Sequence, residues 1–264
     1  MKLGFIGCGN MAAAMIKGII NNKIASRDEI IGADKSAESL QRIVRDTGIV
    51  QAADNREAAA KSEVLFLSVK PQFYEDVIEE IKDVVNDKQI IITVAPGKTL
   101  EWIGKQFGKP LKIVRTMPNT PALVGEGITA ACGNTNVSKE DMDKAVTVLQ
   151  SFGKCEVISE HLMDVVTSVS GSSPAYVFMF IEAMADAAVA DGMPRQQAYR
   201  FAAQAVLGSA KMVLETGKHP GELKDMVCSP GGTTIEAVRV LEEKGMRSAV
   251  FEAMKACTRK SKGM

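Results

Sequence analysis

The stretch "KLGFIGCGNMAAAMIKG", Lys2 to Gly18, limits the fold more than any other part of this chain. A short apolar run ends in Gly7 and Gly9, and Ala12 completes a G-x-G-x-x-A spacing as a helical pattern begins. The first glycine permits a tight turn and the second lets backbone approach a ligand. The alanine permits close packing of helix on strand. A helix that opens here presents N–H groups and the positive end of its dipole to an anion. The spacing therefore predicts a strand–turn–helix unit that cradles the pyrophosphate of a dinucleotide.

The following residues supply the context this motif needs. Short apolar runs at "EIIGAD", "EVLFLSVKP", "QIIITVAPG", "LKIVRTMPNTP", "GITAACG" and "CEVIS" alternate with helical patterns through residue 159. Such alternation implies a parallel sheet covered on both faces. The expected fold class is α/β, an N-terminal Rossmann-type doubly wound parallel sheet over residues 1–159. Ligands in these sheets lie beyond the carboxyl ends of the strands. That directs attention to "GCGNM", "ADKS", "SVKPQ", "VAPG" and "MPNTPA". Asp34 closes the second strand, where a carboxylate accepts the ribose hydroxyls of NAD. Lys35 and Ser36 follow at once and suit the 2′-phosphate of NADP. The pair leaves the choice of nicotinamide open, and a plain turn role for Asp34 stays open beside it.

After Ser159 the strand pattern stops. "SEHLMDVVTSVSG" reads as a helix capped by Ser159, and "SGSSPAY" as a second helix start, with Ser172 or Ser173 as cap and Pro174 near the first position. Ala175 to Ala190 is apolar nearly all round, as expected of a helix buried on every side. Residues 160–264 are expected to form an all-helical domain whose apolar surface is buried in a second copy of the chain. The run "AYVFMFI" is too short to span a bilayer.

Composition excludes several classes. Lys+Arg and Asp+Glu are 32 each, so a zero formal charge offers no attraction to nucleic acid or to anionic membranes. Aromatic residues are only 5%, too few for a base-stacking surface. The 5 cysteines include no C-x-x-C pair and the 2 histidines are far apart, so neither a disulfide framework nor a metal site is expected. The N-terminus shows no apolar leader, and a cytoplasmic location is expected.

One segment resists a reading from composition. "SPGGTT", Ser229 to Thr234, places paired glycines before two threonines at the mouth of a helix. Hydroxyls there either cap the helix or wall a pocket in which backbone and side chain both touch a small ligand.

Together, "GFIGCGNMAAA", "SVKPQ", "VRTMPNTPA", "SGSSPAYVFMFIEAMADAA" and "LKDMVCSPGGTTIEAV" resemble the motif set of the pyrroline-5-carboxylate reductases, in that family's order and over nearly the whole chain. The resemblance implies reduction of the cyclic imine pyrroline-5-carboxylate to L-proline by NADPH or NADH, the last step of proline biosynthesis. It also implies a helical dimerisation domain and a homodimer or ring of dimers, such as a homodecamer. It implies a substrate site lined by Glu160, Ser229, Gly231, Gly232, Thr233 and Thr234, with Thr234 donating to the ring nitrogen. The cofactor site expected with it comprises Ile6, Gly7, Cys8, Gly9, Asn10, Met11, Asp34, Lys35, Asn55, Ser68, Val69, Lys70, Pro71, Ala95 and Asn119. Ser173 stands where most members carry glycine, which implies a local backbone adjustment. Two rivals are a β-hydroxyacid dehydrogenase and a catalytically silent NAD(P)H sensor. The first looks for a lysine base on the helix after the Ser/Gly loop, and "SGSSPAYVFMFIEAMADAAVA" has no lysine. The second has no reason to keep "SPGGTT".

Overall fold

The computed structural model describes residues 1–263. The chain forms two compact units: Met1–Ser172 together with the residues from Cys257 onward, and Ser173–Ala256. The first unit holds eight strands, β1 (Leu3–Ile6), β2 (Ile30–Ala33), β3 (Val50–Gln51), β4 (Val64–Leu67), β5 (Ile90–Thr93), β6 (Lys112–Met117), β7 (Gly127–Gly133) and β8 (Gly153–Val157). They form one sheet in the order β3-β2-β1-β4-β5-β6-β7-β8. Six helices connect them: α1 (Asn10–Asn21), α2 (Ala37–Thr47), α3 (Asn55–Ala60), α4 (Tyr74–Ile81), α5 (Leu100–Phe107) and α6 (Lys139–Leu149). The strand order reverses at β1, which pairs with β2 on one side and β4 on the other. That reversal is where an open sheet of this kind forms its ligand crevice.

Three local features differ from the expectation. The two-residue strand β3 and the short helix α3 are additional to the pattern. The sheet is also not wholly parallel, because β7 runs antiparallel to β6. The connection from Met117 to Gly127 contains only a 3-10 turn, Thr120–Val124. A parallel return needs a crossover of about a dozen residues or more, so the chain reverses instead. β8 then lies parallel to β7 after the α6 crossover.

Both faces of the sheet are covered. On one, Phe5 and Phe66 stack with ring centroids 4.5 Å apart beneath Met15, Ile16 and Phe152. On the other, Leu65, Leu67 and Ile113 pack under Tyr74, Ile78 and Ile103. Because apolar residues fill both faces, the strands read as continuous apolar runs rather than alternating ones.

Beyond β8 the chain enters a 3-10 turn, Glu160–Leu162, then α7 (Met163–Val166) and a π-turn, Thr167–Gly171, and passes straight into α8 (Ser173–Ala190). Ser159 is extended but makes no side-chain capping bond. Ser172 is helical, at φ −98° and ψ −24°, so the second helix start is a π-turn rather than a capped beginning. Ser173, as the first residue of α8, has no need of glycine's freedom. The helical run Glu160–Ala190 is 31 residues long and holds an 18-residue window with a mean hydropathy of 1.2, long and apolar enough by length and composition to cross a membrane. The shorter run "AYVFMFI" understated it.

The second unit continues through α9 (Arg195–Thr216), α10 (Pro220–Val227), α11 (Thr233–Glu243) and α12 (Met246–Ser261), whose last residues belong to the first unit. α8 packs on α9. Of all α8 only Ala185 is buried, whereas Met179 is 68% exposed, Phe201 on α9 68% and Leu214 84%. An apolar surface of this extent marks an interaction face.

Candidate active site

The reversal of strand order at β1 brings the expected cofactor residues of the first unit together. Gly7 follows β1 with φ +93°, a left-handed conformation that a side chain resists, and its N–H donates to Ala33 O at 2.9 Å. A Cβ on Gly7 would stand 2.7 Å from the Ser68 carbonyl carbon and 2.8 Å from Val69 N, so the turn is pressed against the end of β4. Ser68 completes the contact by donating its hydroxyl to Gly7 O at 2.7 Å. Gly9 is the opposite case. A Cβ there would meet nothing within 4 Å, and Gly9 is the extended cap residue of α1, with no side-chain capping bond and no acidic residue in the first turn. Open space before an uncapped helix start fits a pyrophosphate.

Asp34 is held inward. Its Oδ2 accepts from Cys8 N at 2.6 Å and its Oδ1 from Ser36 N at 2.7 Å. Each oxygen thus already serves the backbone of the turn. Lys35 is exposed beside it, and Arg42 on α2 donates to Asn10 Oδ1 at 3.5 Å. Ile6 and Cys8 are buried, Met11 and Val69 are half-buried, and Lys70 is exposed before Pro71 opens a 3-10 turn. Ala95 is buried just past β5. Asn55 donates to Glu80 Oε2 at 2.7 Å on the exposed side, while the buried Asn119 accepts from Ile128 N at 2.9 Å and donates to Ser170 O at 3.1 Å.

Glu160 belongs to the first unit, and the other expected substrate residues belong to the second. Its Oε1 accepts from Leu100 N at 2.7 Å, at the start of α5, and from Arg115 Nη1 at 2.9 Å. Arg115 lies in β6 with its side chain only 4% exposed, opposite Thr93 on one neighbour and Cys132 on the other. Burial, with the Glu160 carboxylate adding, pushes the Cys132 thiol up to about 11. The sequence reading passed over Arg115, although a lone cation in the buried run "KIVRTM" is a signal for a partner.

The second unit shows what "SPGGTT" forms. Gly231 has φ +66°, and Gly232 N donates to Ser229 O at 3.0 Å, closing a turn. A Cβ on Gly232 would lie 2.5 Å from Ser229 Oγ, so a side chain there would make the Ser229 hydroxyl move aside. Gly232 is the cap residue of α11, and Thr233 and Thr234 are its first two helical residues. The cap position has no side chain, so neither threonine occupies it. Thr234 is half-buried, and Ser229 and Thr233 are exposed. Among the described residues no cluster of metal ligands occurs.

Residues 160–264 match the family described as pyrroline-5-carboxylate reductase dimerisation, and residues 2–97 match one described as NADP oxidoreductase, coenzyme F420-dependent. A curated pyrroline-5-carboxylate reductase of Escherichia coli is 52% identical over 98% of this chain and 97% of its own length. The chain belongs to the pyrroline-5-carboxylate reductase family. Solved structures place it there as well. A pyrroline-5-carboxylate reductase of Coxiella burnetii superposes with a TM-score of 0.92 at 35% identity, covering 99% of this chain and 97% of its own. The NADP-bound pyrroline carboxylate reductase of Plasmodium falciparum gives 0.91 at 33% identity, covering 100% and 97%. Two stretches thus gain a context in this reductase family: the helical run from Glu160, inside the dimerisation match, and the Gly7–Gly9 turn, inside the NADP oxidoreductase match.

Proposed function

We propose that this chain reduces the cyclic imine 1-pyrroline-5-carboxylate to L-proline with hydride from NADPH or NADH. The observation that carries the reading is the turn at the head of α11, where glycine occupies the cap and two threonines open the helix. The substrate is a small ring with one carboxylate and one imine nitrogen, too small for many side chains to reach. Gly231 and Gly232 let it approach backbone, and the N–H groups of the first turn of α11 receive its carboxylate. Thr234 donates its hydroxyl to the ring nitrogen, with Ser229 and Thr233 beside it. A nicotinamide, when bound, supplies the hydride. Electron density grows on the nitrogen as the adjacent carbon accepts hydride, so the Thr234 bond strengthens in the transition state.

In the first unit, Gly7, Cys8, Gly9, Asn10 and Met11 hold the pyrophosphate, and Lys35 lies on the adenosine side near β2. Ser68, Val69, Lys70, Pro71, Ala95 and Asn119 follow the carboxyl ends of β4, β5 and β6 on the nicotinamide side, with Ile6 beneath and Asn55 at the rim. Asp34 and Glu160 act here by fixing backbone. We read residues 1–159 as the cofactor domain and 160–264 as the assembly and substrate domain. The exposed faces of α8 and α9 bury in a second copy rather than in lipid, and dimers build a ring in the cytoplasm, with no nucleic acid partner.

The test is a Thr234 series. Thr234→Ala lowers kcat on the order of ten- to a thousandfold, between one lost hydrogen bond and a lost proton donor. Thr234→Ser recovers much of the rate and Thr234→Val does not, with dinucleotide affinity nearly constant in all three. Wild-type turnover in Thr234→Val removes the hydroxyl from the chemistry.

A further inference from the structure

Three side-chain pairs join the last turns of α12 to the segment around the π-turn, all within the first unit. Cys257 Sγ donates to Ser172 Oγ at 3.2 Å, Thr258 Oγ1 to Ser168 Oγ at 2.9 Å, and Ser261 Oγ to Asp164 Oδ1 at 2.7 Å. Asp164, Ser168 and Ser172 follow each other at four-residue steps, and Cys257, Thr258 and Ser261 meet them in the reverse order. The result is one antiparallel polar seam. It is selective, because Cys257, Thr258 and Ser261 are half-buried while Ala256, Arg259, Lys260 and Lys262 are exposed. Ser168, at its centre, is 1% exposed. The Ser168 hydroxyl spends its own proton on Val165 O at 2.8 Å, so Thr258 must be the donor in their pair.

The same π-turn also touches the cofactor side. Ser170 O accepts from Asn119, whose other amide atom holds Ile128 N. A Cβ on Gly171 would lie 3.9 Å from Met117 Sδ, at the end of β6. The extra residue of a π-turn redirects the chain, and such turns gather at functional places. We propose that the end of α12 is a clasp, and that Thr258 and Ser261 are positioning residues for hydride transfer. They set the π-turn, and through Ser170 and Asn119 they set the loop after β6. The proposal rests on the reductase reading above. A loosened clasp leaves the pyrophosphate grip beside β1 intact and displaces the wall beside the reacting ring, so turnover falls while dinucleotide affinity holds.

The full-length Thr258→Val and Thr258→Ser variants test this by steady-state reduction of the imine, NADPH titration and amide hydrogen exchange. Thr258→Val loses about fivefold to tenfold in kcat, the scale of one buried hydrogen bond, with the NADPH Kd within about twofold. Its amides at Ser170–Ser172 exchange faster than in wild type, and Thr258→Ser restores both rate and protection. Ser261→Ala, which loses only the bond to Asp164, gives the same split on a smaller scale and serves where Thr258→Val folds poorly. Wild-type turnover in Thr258→Val overturns the proposal, and so does wild-type exchange at those amides. A wild-type chain that reduces no imine refutes the reductase reading instead. The exchange data then still decide the clasp, faster exchange supporting it and unchanged exchange overturning it.

Discussion

At the scale of single residues, the glycines and Asp34 carry separate predictions. Gly9→Val fills the open space before α1, so NADPH and NADH affinity both fall while the helical unit keeps its folding; unchanged affinity in titration contradicts the pyrophosphate assignment. Asp34→Ala frees Cys8 N and Ser36 N, and both dinucleotides weaken by a similar factor, about tenfold for lost charge-assisted bonds. A shift in their ratio of kcat/KM alone would instead place the carboxylate on the ribose. Cys8 gives a pH dependence. Burial, with Asp34 adding, raises its thiol from the ordinary 9.0 up to about 12. The folded chain holds this proton more tightly than the unfolded chain, so the stability it contributes is intact below about pH 9 and is lost as pH climbs toward about 12. Urea midpoints from about pH 8 to 10.5 therefore decline less steeply in Cys8→Ala. Gly7 and Gly9 were legible in the sequence because their roles are local, one a turn and the other an open approach. The direction of Asp34 was not, since carboxylates suit both a ribose and the N–H groups of a turn.

Elements show which contacts escape a one-dimensional reading. The pair Arg115–Glu160 joins β6 to the turn after β8 across 45 residues of sequence, and Arg115 Nε has no hydrogen-bond partner among the described residues. Removing the carboxylate strands a buried cation. Glu160→Ala thus costs about 3 kcal/mol, the low end for such pairs because Glu160 is partly exposed. The melting temperature falls by about 6–12 °C, measured by calorimetry, and a fall of under about 1 °C would deny the pair its anchoring role. The alternation of strands and helices was readable because both faces of the sheet are apolar. β3 is too brief and α3 too short to establish a period, and the reversal at β7 follows from a connection length rather than a composition. The π-turn was read as a capped start because serines near a proline suit either geometry.

For the molecule as a whole, assembly and chemistry make distinct demands. The exposed apolar face of α8 and α9 predicts at least a dimer in solution, and Phe178→Asp with Phe201→Asp shifts sedimentation toward monomer or aggregate. A double variant with the wild-type mass places the contact elsewhere. The balanced charge and the long apolar helix were both visible in the sequence, but neither states how many copies gather. The turn proposed for the substrate was visible as an oddity, and the structure adds that Gly232 stands at the cap of α11 with two threonines behind it. Those features converge on one reaction, and its direct measure is the loss of nicotinamide absorbance near about 340 nm with the cyclic imine present and absent, NADPH and NADH in parallel. The account predicts absorbance loss that depends on the imine and is matched by proline formed. No imine-dependent loss with either nicotinamide would contradict it.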